Sequence, residues 1–232
     1  AYVSFNVTYN NPTTDTELLL KKGTGFIASY DNNIYQYVVL DDVKAQISND
    51  TAVFENVELK EGTQLVNTFT VNTSLKSQRF VLDNPNIDTN TIRVKVFPTG
   101  GSLSEPWLVA DNIIGIDSTS KVFFLDEIED ERYELLFGDG VLGKKLENGA
   151  RVEVCYLTTS GPESNGVRTF VFSGVLETPQ GVSPNSFDVS ITSTVAAAGG
   201  EEIESTEKIR YTAPKSYGTQ DRAVTADDYS AI

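Results

Sequence analysis

The chain has 232 residues, 33 of them acidic and 18 basic, for a net charge of -15. A surface this acidic repels phosphate backbones and anionic lipid, which sets nucleic acid and membranes aside as partners. With no His and one Cys, it lacks the commonest general base, any Ser-His or Cys-His nucleophile pair, the usual zinc sets and an internal disulfide.

The predicted elements begin with a strand. Val3, Phe5, Val7 and Tyr9 alternate with Ser4, Asn6 and Thr8, the period of a half-buried strand. Phe69 and Val71 alternate with Thr68, Thr70 and Asn72, and Val94 and Val96 with Arg93 and Lys95. The same period returns at Val152, Val154 and Tyr156, between Arg151, Glu153 and Cys155. It returns once more at Phe187, Val189 and Ile191, between Asp188, Ser190 and Thr192. Turn residues punctuate these runs at Asp31-Asn32-Asn33, Glu61-Gly62, Asp139-Gly140, Asn148-Gly149 and Asn165-Gly166; these residues tolerate positive φ. Residues 84–90, 99–106 and 161–166 read as loops.

Helix is expected only near the end. Glu201, Glu202 and Glu204 precede Lys208 and Arg210, an order that complements the helix dipole. Gly199-Gly200 opens this segment, and Pro214 is expected to close it. Thr225, three residues before Asp228, announces a further helix. The chain contains no Met and stops soon after that signal, so we expect a slice of a longer polypeptide.

The pattern predicts a mainly β fold: antiparallel, sandwich-like β domains with a short helical C-terminal segment. We expect a first β domain over 1–75 and a second, inserted one over 76–168. Returning strands and C-terminal helices are expected over 169–232.

No constellation amounts to a catalytic, cofactor or metal site. Asp126, Glu127, Glu129, Asp130 and Glu131 crowd one short stretch. They lack the spacing and central Gly of a calcium loop, and a solvated hairpin turn is the plainer reading. Phe137-Gly138-Asp139-Gly140-Val141-Leu142-Gly143 has glycine-loop spacing without the Gly-Lys-Ser/Thr ending of a phosphate loop, so a tight turn is expected. Cys155 has no partner base and reads as an inert thiol. Trp107, Leu108 and the strand from Phe170 to Phe172 are candidate anchors, for the core or for an interface.

Two longer strings carry more than composition does. Phe137 to Gly143 is followed by Leu146, Asn148-Gly149, Val152 to Tyr156, Thr159-Ser160-Gly161 and Asn165-Gly166. Ala198-Gly199-Gly200 is followed by Glu204-Ser205, Ile209-Arg210, Ala213-Pro214, then Asp221 to Thr225 and Asp228-Tyr229. With Lys22-Gly23-Thr24 and Phe26 ahead of them, these blocks resemble the baseplate J-like family of contractile phage tails, and among its members the large wedge subunits. The resemblance implies a non-enzymatic virion protein of the tail baseplate, assembled in the host cytoplasm without cofactor. It implies other baseplate wedge proteins as partners, with a homodimer and a ring of linked wedges in the full assembly. It marks Gly138, Asp139, Gly140, Gly143, Gly149, Gly199, Gly200, Arg210, Arg222 and Asp228 as structural motif residues. Gly138, Gly140 and Gly143 would permit tight turns, Gly149 a two-residue hairpin, and Gly199 and Gly200 a close backbone approach, while Arg222 would pair with Asp228. The runner-up reading is a carbohydrate-binding or adhesin-type β-sandwich module. A carboxylate-dependent hydrolase using Asp139 or the 126–131 cluster is a third.

Overall fold

The computed structural model describes residues 1–75, 77–110, 112–182, 186–202 and 204–219. It is mainly β. In chain order the strands are β1 Tyr2–Tyr9, β2 Glu17–Leu20, β3 Gly25–Tyr30, β4 Asn33–Val39, β5 Val43–Ser48 and β6 Thr51–Glu61. Next come β7 Thr63–Thr70, β8 Phe80–Leu82, β9 Ile87–Phe97, β10 Glu105–Val109, β11 Val122–Ile128, β12 Arg132–Phe137 and β13 Arg151–Thr158. The last are β14 Val171–Phe172, β15 Glu177–Thr178, β16 Gly181–Val182 and β17 Phe187–Val195, followed by one helix, α1, Thr206–Thr219.

These strands make two sheets. The first has the order β14-β3-β4-β6-β5-β2-β15-β16, with β1 joining β6 to β17. The second has the order β7-β13-β9-β10-β11-β12-β8. The second sheet is thus one continuous stretch of chain, whereas the first takes strands from before and after it.

The alternation at the start of the chain builds the first core. Val3, Phe5, Val7 and Tyr9 are all buried, and β17 lies antiparallel to β1 from Tyr9↔Phe187 to Tyr2↔Val195. Phe5 stacks on Phe54 at 4.9 Å and meets the edge of Phe26 at 5.6 Å. Phe172 reaches Phe26 at 5.4 Å, and Phe170 reaches Tyr37 at 5.0 Å. The chain after the second sheet therefore comes back to close the first core.

A separate aromatic cluster fills the second sheet. Phe137 packs against Phe80 at 5.1 Å, Trp107 at 5.4 Å and Phe123 at 6.2 Å. Phe69 on β7 meets Phe80 on β8 at 5.5 Å. Since β7 and β8 are the two ends of the strand order, the sheet curls until its edges approach each other. Curling shortens the exposed edges that invite unwanted pairing. Trp107 and Phe170 are core residues, while Leu108 faces solvent.

Several local expectations are corrected. Residues 87–90 belong to β9, where Ile87 and Asp88 pair with Thr158 and Leu157. Glu105 and Pro106 begin β10, with Pro106 opposite Lys95 and Trp107 opposite Val94; burial of the Trp107 ring carries the strand through the proline. β10 also runs parallel to β11, from Leu108↔Val122 to Val109↔Phe123. Pro214 lies inside α1 and does not close it. Arg210, whose carbonyl loses its helical donor to the proline, is exposed, so that carbonyl can turn to water. Asn148-Gly149 is not a hairpin between paired strands. It is a turn closed by the Ala150 amide donating to the Glu147 carbonyl at 3.1 Å, and it feeds β13. The helix announced at Thr225 lies outside the described residues.

The chain passes between the sheets twice. Going out, β6 becomes β7 through Gly62 alone, at φ 141°. A Cβ there would sit 2.8 Å from the Thr158 carbonyl oxygen, so both conformation and space require glycine. Coming back, Gly161–Ser164 forms a 3-10 turn. Lys60 on β6 and Asp88 on β9 bridge the two sheets at 3.4 Å.

Candidate functional site

The two motif strings fold into two distinct places. The first is a turn at one end of the second sheet. Phe137 anchors β12 in the aromatic core, and the chain reverses beyond it. The Gly140 amide donates to the Gly143 carbonyl at 3.1 Å. Asp139 Oδ1 accepts the amides of Val141 and Leu142 at 2.8 and 3.0 Å. Those two donors favour the ionised carboxylate, holding the Asp139 carboxyl below its ordinary range. A Cβ on Gly138 would lie 2.3 Å from the Gly143 carbonyl carbon, so the two glycines let the backbone cross itself. The Asp139 carboxylate is occupied as a turn cap, a structural role.

A neighbouring loop braces this turn. The Gly143 amide donates to the Asp117 carbonyl at 3.0 Å, and the Lys144 amide to the Ser120 carbonyl at 2.7 Å. Asp117 Oδ1 in turn accepts the Thr119 hydroxyl and amide, both at 2.8 Å. These and the Ser120 donors lower its pKa. What the braced turn presents is apolar. Val141 is 74% exposed, and Ile114, three residues before Asp117, is 87% exposed. Leu108 and Val109, exposed on β10, are successive strand residues that point to opposite faces; the Leu108 amide donates to the Lys121 carbonyl at 3.0 Å. The charges around these side chains are paired locally: Glu105 binds Lys121 at 3.0 Å and Lys144 at 3.6 Å.

The second motif lies at the seam between the sheets. Asn165 Nδ2 donates to the Gly200 carbonyl at 2.7 Å, and the Gly200 amide donates back to Asn165 Oδ1 at 3.0 Å. A Cβ on Gly200 would be 2.2 Å from the Gly161 carbonyl oxygen, and Gly199 has φ 88°. The Gly166 amide donates to Ala197, and the Ala197 amide to Val167, both at 2.8 Å. The return crossing is thereby stapled to the irregular segment that follows β17. Beside it, the Tyr37 hydroxyl donates to the Ser164 carbonyl at 3.3 Å, and burial pushes its pKa up to about 12. Glu61 accepts the Ser160 amide at 3.0 Å. Burial raises its pKa against the lowering effect of that bond.

The remaining candidates scatter. Gly149 sits in the turn before β13, at φ 79°. Arg210 is exposed on α1, whose first turn is held by the Lys208 amide donating to Ser205 Oγ at 3.2 Å and by a Glu204–Lys208 ion pair at 2.9 Å. Arg222 and Asp228 lie outside the described residues. Cys155 accepts a hydrogen bond from Gln64 at 2.9 Å between strands. The 126–131 cluster spans the end of β11 and the turn into β12, with Asp130 paired to Arg132 at 3.6 Å. Among the described residues no group of three or more His, Cys, Asp or Glu is arranged to hold a metal ion. Nor is any helix among them long and apolar enough to cross a membrane. The Asn165 clamp and the Asp117 brace escaped sequence reasoning, because each joins residues distant along the chain or buried in a loop without periodicity.

Comparison with known proteins places these folds. Residues 1–62 match the family model of baseplate wedge protein gp6, domain II, and residues 67–167 match that of bacteriophage baseplate wedge protein gp6, third domain. The chain is also similar to baseplate wedge protein gp6 of Enterobacteria phage T4, 25% identical over 235 aligned residues that cover 93% of this chain. It spans 34% of that relative's length. Together the matches support a gp6-like baseplate wedge protein; neither model bears the J-like name suggested by the motifs.

Proposed function

We propose that this gp6-like chain is a structural segment of a phage tail baseplate wedge, working by protein–protein contact rather than by catalysis. Its place is the virion, in the tail baseplate. The observation that carries the reading is the pair of gp6 domain matches, whose boundary between residues 62 and 67 falls where the chain changes sheets at Gly62. In this reading the full-length protein joins other wedge proteins, pairs with a second copy of itself and links wedges into a ring. The inserted β domain, expected over 76–168, is drawn here as 63–158 because β7 already belongs to the second sheet and β13 ends it, and the motif glycines are spacers at backbone crossings. Contact surfaces need shape and exposed apolar anchors rather than perturbed ionisable groups. That requirement suits a chain whose conspicuous glycines and Asp139 hold turns.

The test is made on virions. Mass spectrometry of purified baseplates should find the full-length protein at a fixed ratio to other wedge proteins, and deleting its gene should leave wedges that do not close into rings by electron microscopy. Virions that lack the protein, or normal rings without it, would overturn the proposal.

A further inference from the structure

The open edges of the two sheets are unequal. Three of the strands that end a strand order are short: β8 has three residues, and β14 and β16 have two each. β7 is met by the opposite edge of its own sheet, where Phe69 packs on Phe80. β17 differs. It runs nine residues, and among the described residues it pairs with β1 alone. Native edges are blunted by lysine, proline or shortness, yet β17 has no Lys, Arg or Pro and a single charge, Asp188. Its bulge falls beyond Ile191, opposite the Ser4–Phe5 step, so Phe187 to Ile191 is a regular edge.

The register tells which backbone groups are open. The Asn10 amide donates to the Ser186 carbonyl at 3.0 Å, while the Tyr9 amide points the other way, to the Asp50 carbonyl at 2.9 Å. Backbone groups alternate sides along a strand. Asp188 and Ser190 therefore bond β1, whereas Phe187 and Val189 turn their amides and carbonyls outward. The side chains of this edge are also incompletely covered: Phe187, Val189 and Ile191 pack on the first core but stay half-buried. One further strand would satisfy that backbone and cover those flanks together, as in β-strand addition.

Charge decides the occupant. The neighbouring strands β17, β1 and β6 carry the carboxylates Asp188, Glu55, Glu58 and Glu61, with Asp50 in the turn beside Tyr9. Lys60 is the one cation on these three strands, and it is already paired with Asp88. At -15 overall, the chain steers basic partners inward and repels its own copies.

Resting on the assembly reading above, we propose that the outer edge of β17 receives an extended, basic segment of a different protein as an added strand. That segment sets apolar side chains beside Phe187, Val189 and Ile191, and Lys or Arg, at the alternate positions, beside Asp188.

Amide exchange of the full chain, read by NMR with a short peptide alternating Val and Lys as the probe, tests it. At low salt the peptide should slow exchange at Phe187 and Val189 about tenfold or more, and leave Asp188 and Ser190, already bonded to β1, unchanged. The same peptide fully N-methylated keeps its charge but loses its pairing amides, and should protect nothing. Val189→Pro removes an outward donor without costing a β1 bond, and should weaken binding about tenfold. Asp188→Lys should reverse the preference, favouring a Val–Glu peptide over the Val–Lys one. Near-ultraviolet dichroism checks that both variants keep the wild-type fold. No protection up to about 1 mM peptide, protection that survives N-methylation, or equal protection by the two peptides would overturn the site. So would strong protection of Phe187 and Val189 in the chain alone, because the edge would then be filled by the chain itself or by a second copy. Presence of the protein in purified baseplates alongside an edge that takes up no strand would sink this inference alone and leave the wedge reading standing.

Discussion

The two sheets solve the same problem with opposite chain economies. The second is continuous in sequence, β7 to β13, and fills its interior with rings of Phe69, Phe80, Trp107, Phe123 and Phe137. The first is split: β1 pairs with β17 across the whole length of the second sheet, and Phe170 and Phe172 arrive only after it to finish the core. Pairing strands so distant in sequence incurs a large loop-closure entropy, which a prefolded second sheet shortens by holding its own ends together.

The sharpest way to break this comparison is to end the chain before residue 187. Without β17, β1 keeps only its ladder to β6, and we expect amide exchange protection to vanish at the β1 amides that face β17 while persisting in β13. Equal loss in both strands would show that the sheets fold as one unit. Next in size, Phe5→Ala removes a fully buried ring from the first core and Phe123→Ala one from the second; each should cost about 3–5 kcal/mol. Denaturant unfolding followed separately in each sheet should show each variant moving mainly its own transition.

Smaller effects address the crossings. Gly138→Ala and Gly200→Ala both force a Cβ into facing backbone, and each should cost about 1–3 kcal/mol in thermal unfolding. Gly138→Ala should disturb the second sheet alone, and Gly200→Ala the seam. Asn165→Ala removes both bonds to Gly200 and should cost about 1–2 kcal/mol, read as faster amide exchange at Gly166 and Ala197. The smallest effect is one of pH. Burial raises the Glu61 pKa in the fold, so its favourable contribution is present at acid pH and lost as pH rises through that raised value. Glu61→Gln should therefore melt higher than wild type at neutral pH, with the difference closing below the ordinary carboxylate pKa. A variant that melts lower at every pH would show that the Ser160 bond needs the charge.

Much of this architecture was legible in the residues. Strict alternation at Val3 to Tyr9, at Val152 to Tyr156 and at Phe187 to Ile191 marked strands with one buried face, because period 2 has few competing explanations. Residues 87–90 and 105–106 were misread because Pro85, Asn90 and Pro106 signal turns locally, while burial of Ile87 and Trp107 overrides them from across the sheet. Pro214 misled for the related reason that an exposed helix tolerates a missing donor. At the motifs, the need for glycine at Gly138 and Gly200 was visible, but the backbones they let through, at Gly143 and Gly161, were not. Spacing within a string says nothing about which distant carbonyl will lie against it.

The passage from β6 to β7 through Gly62 has a mechanical meaning. Thr51 to Thr70 is a run of extended backbone belonging to one sheet at its start and to the other at its end, with a contour of roughly 65 Å at strand rise. A pull on either sheet travels along that covalent line as tension, without first having to shear side chains past one another. The Gly200–Asn165 staple closes the circuit on the return side, so a load entering one sheet has two paths into the other. Two sheets coupled in this way transmit displacement as a stiff strut does.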